Sequence, residues 1–388
     1  MGSLFKAIDK GRNALSGFYQ VGDIILSNKL EALYVASKEK KLAYWNFHDD
    51  VFKKVDWATR PLKTIEQVYK ERAQQLRDKY DYISISFSGG ADSWNVLNSF
   101  LSNNIHVDEI YTRFPIKGTR KHMSANSVDR SPRNLTSEYE YAVKPVLEYV
   151  EKHFPKTKIV IDDITDSYYD EVTEDEIIRT GHFALNGLSA KRCANSMSSD
   201  IDFDNKKVAS IRGSGKFQLR KNENNFFIYF SDIEAWPVDS DPNFSLEYFY
   251  WSPDATELLT LQAHLLKEYF VLHQDLMWVI EANPITNSTI MANYHNIKSI
   301  YNSIYKQVCY PNWNPNTFQT DKASGIQFER EDDFWIMDEN PKSVQSWKWT
   351  VDQFYNGLHE RAFDIVYNNP DYKRLKIFIS PKYTINNS

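Results

Sequence analysis

The residues whose types and order point most directly to chemistry are SGGADS, Ser88–Ser93, set between the β-prone run YISISF and the apolar segment WNVLNSF. A buried strand that ends in small residues and passes at once into a helix is built to receive an anion. Gly89 and Gly90 carry no Cβ to hold an anion away, and glycine tolerates the positive φ of a tight turn. The N–H groups of Gly89, Gly90 and Ala91 can converge on phosphate oxygens as a nest. A helix starting near Ser93 adds unsatisfied N–H donors and the positive end of its dipole. The Ser88 and Ser93 hydroxyls are further donors. Asp92 is out of place beside phosphate unless it orients the loop or reaches Mg²⁺ through water.

Three other segments hold candidate groups. In VASIRGSGKFQL, Arg212, Gly213, Ser214, Gly215 and Lys216 follow a predicted strand. This is no Walker A loop, because Phe217 stands where Ser or Thr would hold Mg²⁺. At the carboxyl edge of an open sheet, Lys216 and Arg212 can neutralise charge on a leaving pyrophosphate, with Gly213 and Gly215 shaping the turn. The alternative is a glycine hairpin with Lys216 in solvent. In RSPRNLTSEYE, Arg130 and Arg133 precede a helix and can meet a carboxylate or phosphate, or lie in a solvated loop. Asp162 and Asp163 end a strand, where they either meet Mg²⁺ or cap the next turn. His182, His264 and His273 fall in predicted helices, and nothing in their spacing suggests catalysis.

The elements that must position these groups follow from periodicity. Leu62, Ile65, Val68, Tyr69, Ala73 and Leu76 recur at helical spacing. Strands are predicted at 82–87, 107–114, 158–164 and 207–213, with a fifth at 226–233. Helices are predicted after Ser93, over 137–154 with a kink at Pro145, over 175–197, and as one long helix or a pair over 255–280. Alternating helices and strands predict an α/β fold with a doubly wound, mostly parallel sheet. The Pro-, Asp- and Ser-rich stretch 236–245 reads as a loop or boundary. The division is an N-terminal extension (1–79) with an amphipathic helix, an α/β domain (80–240), and a largely helical C-terminal region (241–388). Residues 25–47 read as helix or hairpin.

Ser88, Gly89, Gly90, Asp92 and Ser93 match the SGGxDS signature of the PP-loop ATP pyrophosphatase superfamily, which the chain resembles over roughly 80–165, with an extension to 235. That superfamily includes asparagine synthetases, 7-cyano-7-deazaguanine synthase and PAPS reductase. The resemblance implies an adenine nucleotide α-hydrolase-like fold in which the loop grips ATP with Mg²⁺. It further implies cleavage to AMP and pyrophosphate, activating a carboxylate or carbonyl oxygen for C–N bond formation.

Residue usage narrows the branch. Cys193 and Cys309 form no CxxC, which weighs against thiolation, and the segment RLKIFISPKYTINNS lacks the cysteine that PAPS reductases carry in a C-terminal ECGxH-like motif. Position 2 is Gly2, where the glutamine-fed asparagine synthetases place a nucleophilic cysteine. Nitrogen would then come from free ammonia, from an amine substrate or from a separate ammonia-supplying subunit. The expected partners are ATP and a small-molecule substrate, with a homo-oligomer left open. The rival readings are a PAPS-reductase-like sulfur enzyme and a catalytically silent nucleotide-binding module. A net charge of −6 argues against general attraction to nucleic acid. Aromatics at 15% predict a folded chain. Unpaired cysteines and the lack of a long apolar run predict a cytoplasmic protein, without a membrane span.

Overall fold

The computed structural model describes residues 17–26, 32, 35–36, 38–114, 116–117, 138–163, 206–223, 225–232, 244–281, 294–311, 313 and 378–385. The helix predicted over 175–197, with His182 and Cys193, lies outside the described residues, as do Arg130 and Arg133.

Near the N-terminus, β1 (Phe18–Val21) and β2 (Ile24–Leu26) form a hairpin, and β3 (Ala43–Asn46) pairs antiparallel with the other edge of β1. Gly22, at φ +59°, supplies the left-handed residue of the hairpin turn. Segment 25–47 thus contains both strand and helical residues. A short helix, α1 (Asp49–Phe52), follows. These residues are not peripheral. Trp45 stacks on Phe47, and Phe47 lies 4.3 Å from the Trp251 ring centroid, within one aromatic cluster with Phe52 and Phe230.

Helix α2 (Ile65–Lys79) begins at a capping box. The Thr64 hydroxyl accepts the Gln67 N–H, and the Gln67 side chain accepts the Thr64 N–H. Its buried face is Val68, Tyr69, Arg72, Ala73 and Leu76. Leu62 fits the same spacing but precedes the cap and is 98% exposed. Periodicity cannot see where a cap starts the helix.

Next come β4 (Tyr82–Ser86), α3 (Ala91–Leu101) and β5 (Glu109–Phe114). A π-helical turn, Glu138–Val143, then leads into α4 (Lys144–His153), so Pro145 sits in the first turn of a new helix, where its missing N–H costs nothing. After β6 (Lys158–Asp163) the chain reaches β7 (Val208–Arg212), β8 (Gln218–Asn222), β9 (Asn225–Tyr229) and β10 (Phe244–Tyr248). Helices α5 (Thr256–Leu272), α6 (Trp278–Glu281) and α7 (Tyr294–Cys309) and strand β11 (Tyr383–Thr384) complete the described elements.

The central sheet has five strands in the order β10-β7-β4-β5-β6, and every neighbouring pair is parallel. This is an α/β fold. Ile83, Ile85, Ile110, Ala209 and Ile211 are fully buried, as expected of strands covered on both faces.

The strand predicted at 226–233 is present as β9, Asn225–Tyr229, and it stands outside the central sheet. β9 lies antiparallel between β8 and β11, in a separate sheet. A parallel neighbour needs a crossover of a dozen or more residues. The short turn from β7 into β8 cannot supply one, so the chain leaves the central sheet as a hairpin. The fifth parallel strand is β10, beginning at Phe244 inside the stretch expected as a loop and carrying the sheet beyond residue 240.

β10 buries a carboxylate. Glu247 Oε1 is 2.8 Å from Lys79 Nζ and accepts the Tyr80 hydroxyl, while Oε2 faces Arg72 at 3.5 Å. Arg72 also donates to the carbonyls of Phe249 and Tyr248. The helix therefore neutralises the strand's charge and saturates the backbone at its end. Among the described residues no helix is long and apolar enough to cross a membrane.

Candidate functional site

From β4 the chain steps outward through β5 and β6, then crosses to β7 on the other side of β4. Reversals of this kind place ligands outside the carboxyl ends of the strands. Here β4 delivers Ser88–Ser93 to that edge and β7 delivers Gly213–Lys216. Two predicted loops 120 residues apart thus come to one place because β4 and β7 are parallel neighbours.

The first loop is held from within. The Ser93 hydroxyl donates to the Gly90 carbonyl at 3.0 Å and accepts the Ser88 N–H at 3.2 Å. The Ser88 hydroxyl accepts the Gly90 N–H at 3.3 Å. Both hydroxyls shape the turn. Gly89 has φ +68°, and a Cβ there would stand 2.8 Å from Val143 Cγ2. Gly90 has an ordinary φ of −74° and is the N-cap of α3, which begins at Ala91, two residues before its expected start. No side chain caps this helix, so its first-turn N–H groups are available to an anion.

The second loop packs onto the first. A Cβ on Gly213 would approach the Asp92 carbonyl oxygen to 2.7 Å, so the missing side chain is what lets the two backbones meet. Gly215 has φ +89° and lies against the Trp251 ring. Arg212 is buried at the end of β7, its carbonyl accepting the Phe249 N–H.

Lys216 does not point to solvent. Its Nζ lies 2.8 Å from Oδ1 and 2.9 Å from Oδ2 of Asp92, and its side chain is 12% exposed. The amine also sits over the rings of Tyr305 and Tyr310, at 5.4 and 5.9 Å from their centroids. The Tyr310 hydroxyl donates to Asp92 Oδ1 at 2.7 Å. Burial works to raise the Asp92 pKa, but the Lys216 ammonium and the hydrogen bonds from Lys216 and Tyr310 outweigh it, leaving the carboxyl below its ordinary range. Burial pushes Tyr310 and Tyr250 well up, reinforced by the Asp92 charge, so both remain proton donors. Tyr250 donates to the Asp92 carbonyl at 3.0 Å, accepts from the Asn95 amide at 2.8 Å, and stacks on Tyr310.

Asp162 is engaged elsewhere, by Arg113 and the Tyr111 hydroxyl, and Asp163 accepts the Lys117 N–H. His264 bonds the Trp57 carbonyl, and burial lowers its pKa. His273 bonds the Tyr269 carbonyl. Among the described residues no group of three or more His, Cys, Asp or Glu is placed to hold a metal ion.

Tyr250, Tyr305, Tyr310 and Asn95 were not singled out by sequence. Tyr250 lies in an apolar run and Asn95 inside a helix, where neither carries a local signal. Tyr310 reaches Asp92 across 218 positions, a separation no local pattern spans. No family model, curated protein or solved structure matches the chain.

Proposed function

We propose that the chain binds ATP at the Ser88–Ser93 loop and cleaves it to AMP and pyrophosphate, activating a substrate carboxylate or carbonyl oxygen as an adenylate. The single observation that carries this reading is the Lys216 ammonium on Asp92, in the first turn of an uncapped helix, where the strand order reverses. A doubly wound fold of the adenine nucleotide α-hydrolase kind accounts for the strand order and for both loops meeting at one edge.

In this reading the α3 N-terminus, with the N–H groups of Gly89 and Ala91, holds the phosphate chain, while the Gly90 N–H stays on the Ser88 hydroxyl. The substrate oxygen attacks the α-phosphorus, the α–β bond breaks, and its electron pair leaves with pyrophosphate. An amine or ammonia then displaces AMP. Lys216 stabilises the charge that grows on the departing phosphates. Mg²⁺ is commonly held by one or two carboxylates with phosphate and water oxygens. Among the described residues Asp92 would be the carboxylate nearest the loop, and Lys216 and Tyr310 already occupy its oxygens, which suits an ion carried in by the nucleotide. When bound, Mg²⁺ would supply further charge neutralisation on the phosphates.

The test is incubation with α-labelled ATP and a metabolite extract. Labelled AMP with equimolar pyrophosphate supports the reading, and the compound consumed alongside identifies the substrate. ADP and phosphate as sole products would overturn it. Binding of ATP without turnover in any extract would favour the rival reading of a silent nucleotide-binding module.

A further inference from the structure

We propose that Tyr310 is a positioning residue of this site, holding the Asp92 carboxylate so that both of its oxygens face the Lys216 ammonium. The proposal rests on the nucleotide reading for its effect on turnover, but its structural content can be decided separately.

The geometry gives Tyr310 two holds. Its hydroxyl donates to Asp92 Oδ1 at 2.7 Å, and its ring stacks on Tyr250 at 5.6 Å and 15°. Tyr250 in turn donates to the Asp92 main-chain carbonyl. One stacked pair therefore grips both the side chain and the backbone of the same residue. A carboxylate at the start of a helix otherwise has free rotamers. With Oδ1 fixed by Tyr310, Lys216 meets both oxygens at 2.8 and 2.9 Å.

Tyr310 is itself anchored. It follows α7 directly, its N–H donating to the Lys306 carbonyl at 3.0 Å. One turn earlier, the Tyr305 hydroxyl donates to Gln262 Oε1 on α5. The Gln262 amide donates to the Tyr69 hydroxyl on α2, which donates to the Cys309 carbonyl. This buried chain ties the end of α7 to two other helices, so Tyr310 is presented to Asp92 from a fixed frame. Buried and fully bonded networks of this kind rigidify what they hold. The C-terminal region thereby contributes to a site whose motif lies in the first hundred residues.

The decisive variant is Tyr310→Phe, which keeps the stacked ring and removes the hydroxyl. The readout is the ¹³Cγ titration of Asp92 in aspartate-labelled protein, assigned by Asp92→Asn. Tyr19→Phe is the matched control, because Tyr19 donates to the Asp232 carboxylate at 2.8 Å in the same chemistry away from the loop. In Tyr310→Phe, Asp92 should titrate at higher pH than in the parent. The kcat for AMP formation should fall about tenfold, with the KM for ATP within about twofold. Tyr19→Phe should move neither. An Asp92 titration unchanged in folded Tyr310→Phe overturns the proposal. If that variant does not fold, 3-fluorotyrosine at 310 decides, since its more acidic hydroxyl should lower the Asp92 midpoint and an unmoved midpoint overturns the role. If the parent forms no AMP, the nucleotide reading fails, while the Asp92 titration still judges Tyr310.

Discussion

Gly213 and Asp92 meet backbone to backbone: a Cβ on Gly213 would lie 2.7 Å from the Asp92 carbonyl oxygen and 2.8 Å from its carbonyl carbon. The neighbour is main chain and cannot rotate away. Gly213→Ala should therefore destabilise by about 1–3 kcal/mol through forced backbone displacement, read by urea unfolding. It should also weaken ATP binding, because the displaced segment is the first turn of α3.

Gly89 and Gly90 should respond in opposite ways. Gly89 needs φ +68° and lacks room beside Val143. Gly89→Val should cost at least about 2 kcal/mol of folding free energy from strain and overpacking together. Gly90 has φ −74° and ψ 156°, which valine adopts readily. Gly90→Val should fold close to the parent, within about 1 kcal/mol, yet lose ATP binding because a branched side chain blocks backbone approach. Thermal melts with and without ATP separate the two. Normal ATP affinity in Gly90→Val would place the phosphates elsewhere.

Lys216→Met tests charge. It should lower kcat for AMP formation about tenfold or more with little change in ATP Kd. It also leaves Asp92 with Tyr310 but no cation. About a third of the Asp92 side chain meets solvent, so the stability cost should be modest, about 1–2 kcal/mol. Lys216→Met with Asp92→Asn should recover stability and not activity. Recovery of both would assign the pair to folding alone.

Acid should dissolve the same pair. The folded-state pKa of Asp92 lies below its unfolded value, so its stabilising contribution is present above the unfolded pKa, about 3.9. It is lost as pH falls through the folded pKa. Unfolding free energy should drop more steeply on acidification in the parent than in Asp92→Asn. Parallel pH profiles for the two proteins would contradict this.

How much of this was legible follows from which residues carry local signals. β4, β5, β6 and β7 read clearly because short apolar runs end in turn residues. β10 did not, because it follows Pro237 and Pro242 in a polar stretch and carries Glu247. A carboxylate in a five-residue strand reads as surface unless Arg72, Lys79 and Tyr80 are known to converge on it. The Ser88–Ser93 loop and Lys216 were visible as separate motifs, and parallel pairing of β4 with β7 joined them. The hydroxyls of Ser88 and Ser93 proved to be turned inward on the loop, which residue type alone does not reveal. Tyr250 and Tyr310 were hidden among 24 tyrosines, since only long-range contact distinguishes them from core.

The 218-position span between Asp92 and Tyr310 has a consequence for biosynthesis. Ribosomes extend a chain by roughly 5–20 residues per second, so Tyr310 is added roughly 10–45 s after Asp92. Through that interval the nascent chain displays a complete SGGADS motif without the tyrosine that holds its carboxylate. A product released early, before position 310, would still carry the signature in its sequence while lacking one of the groups that shapes it in space.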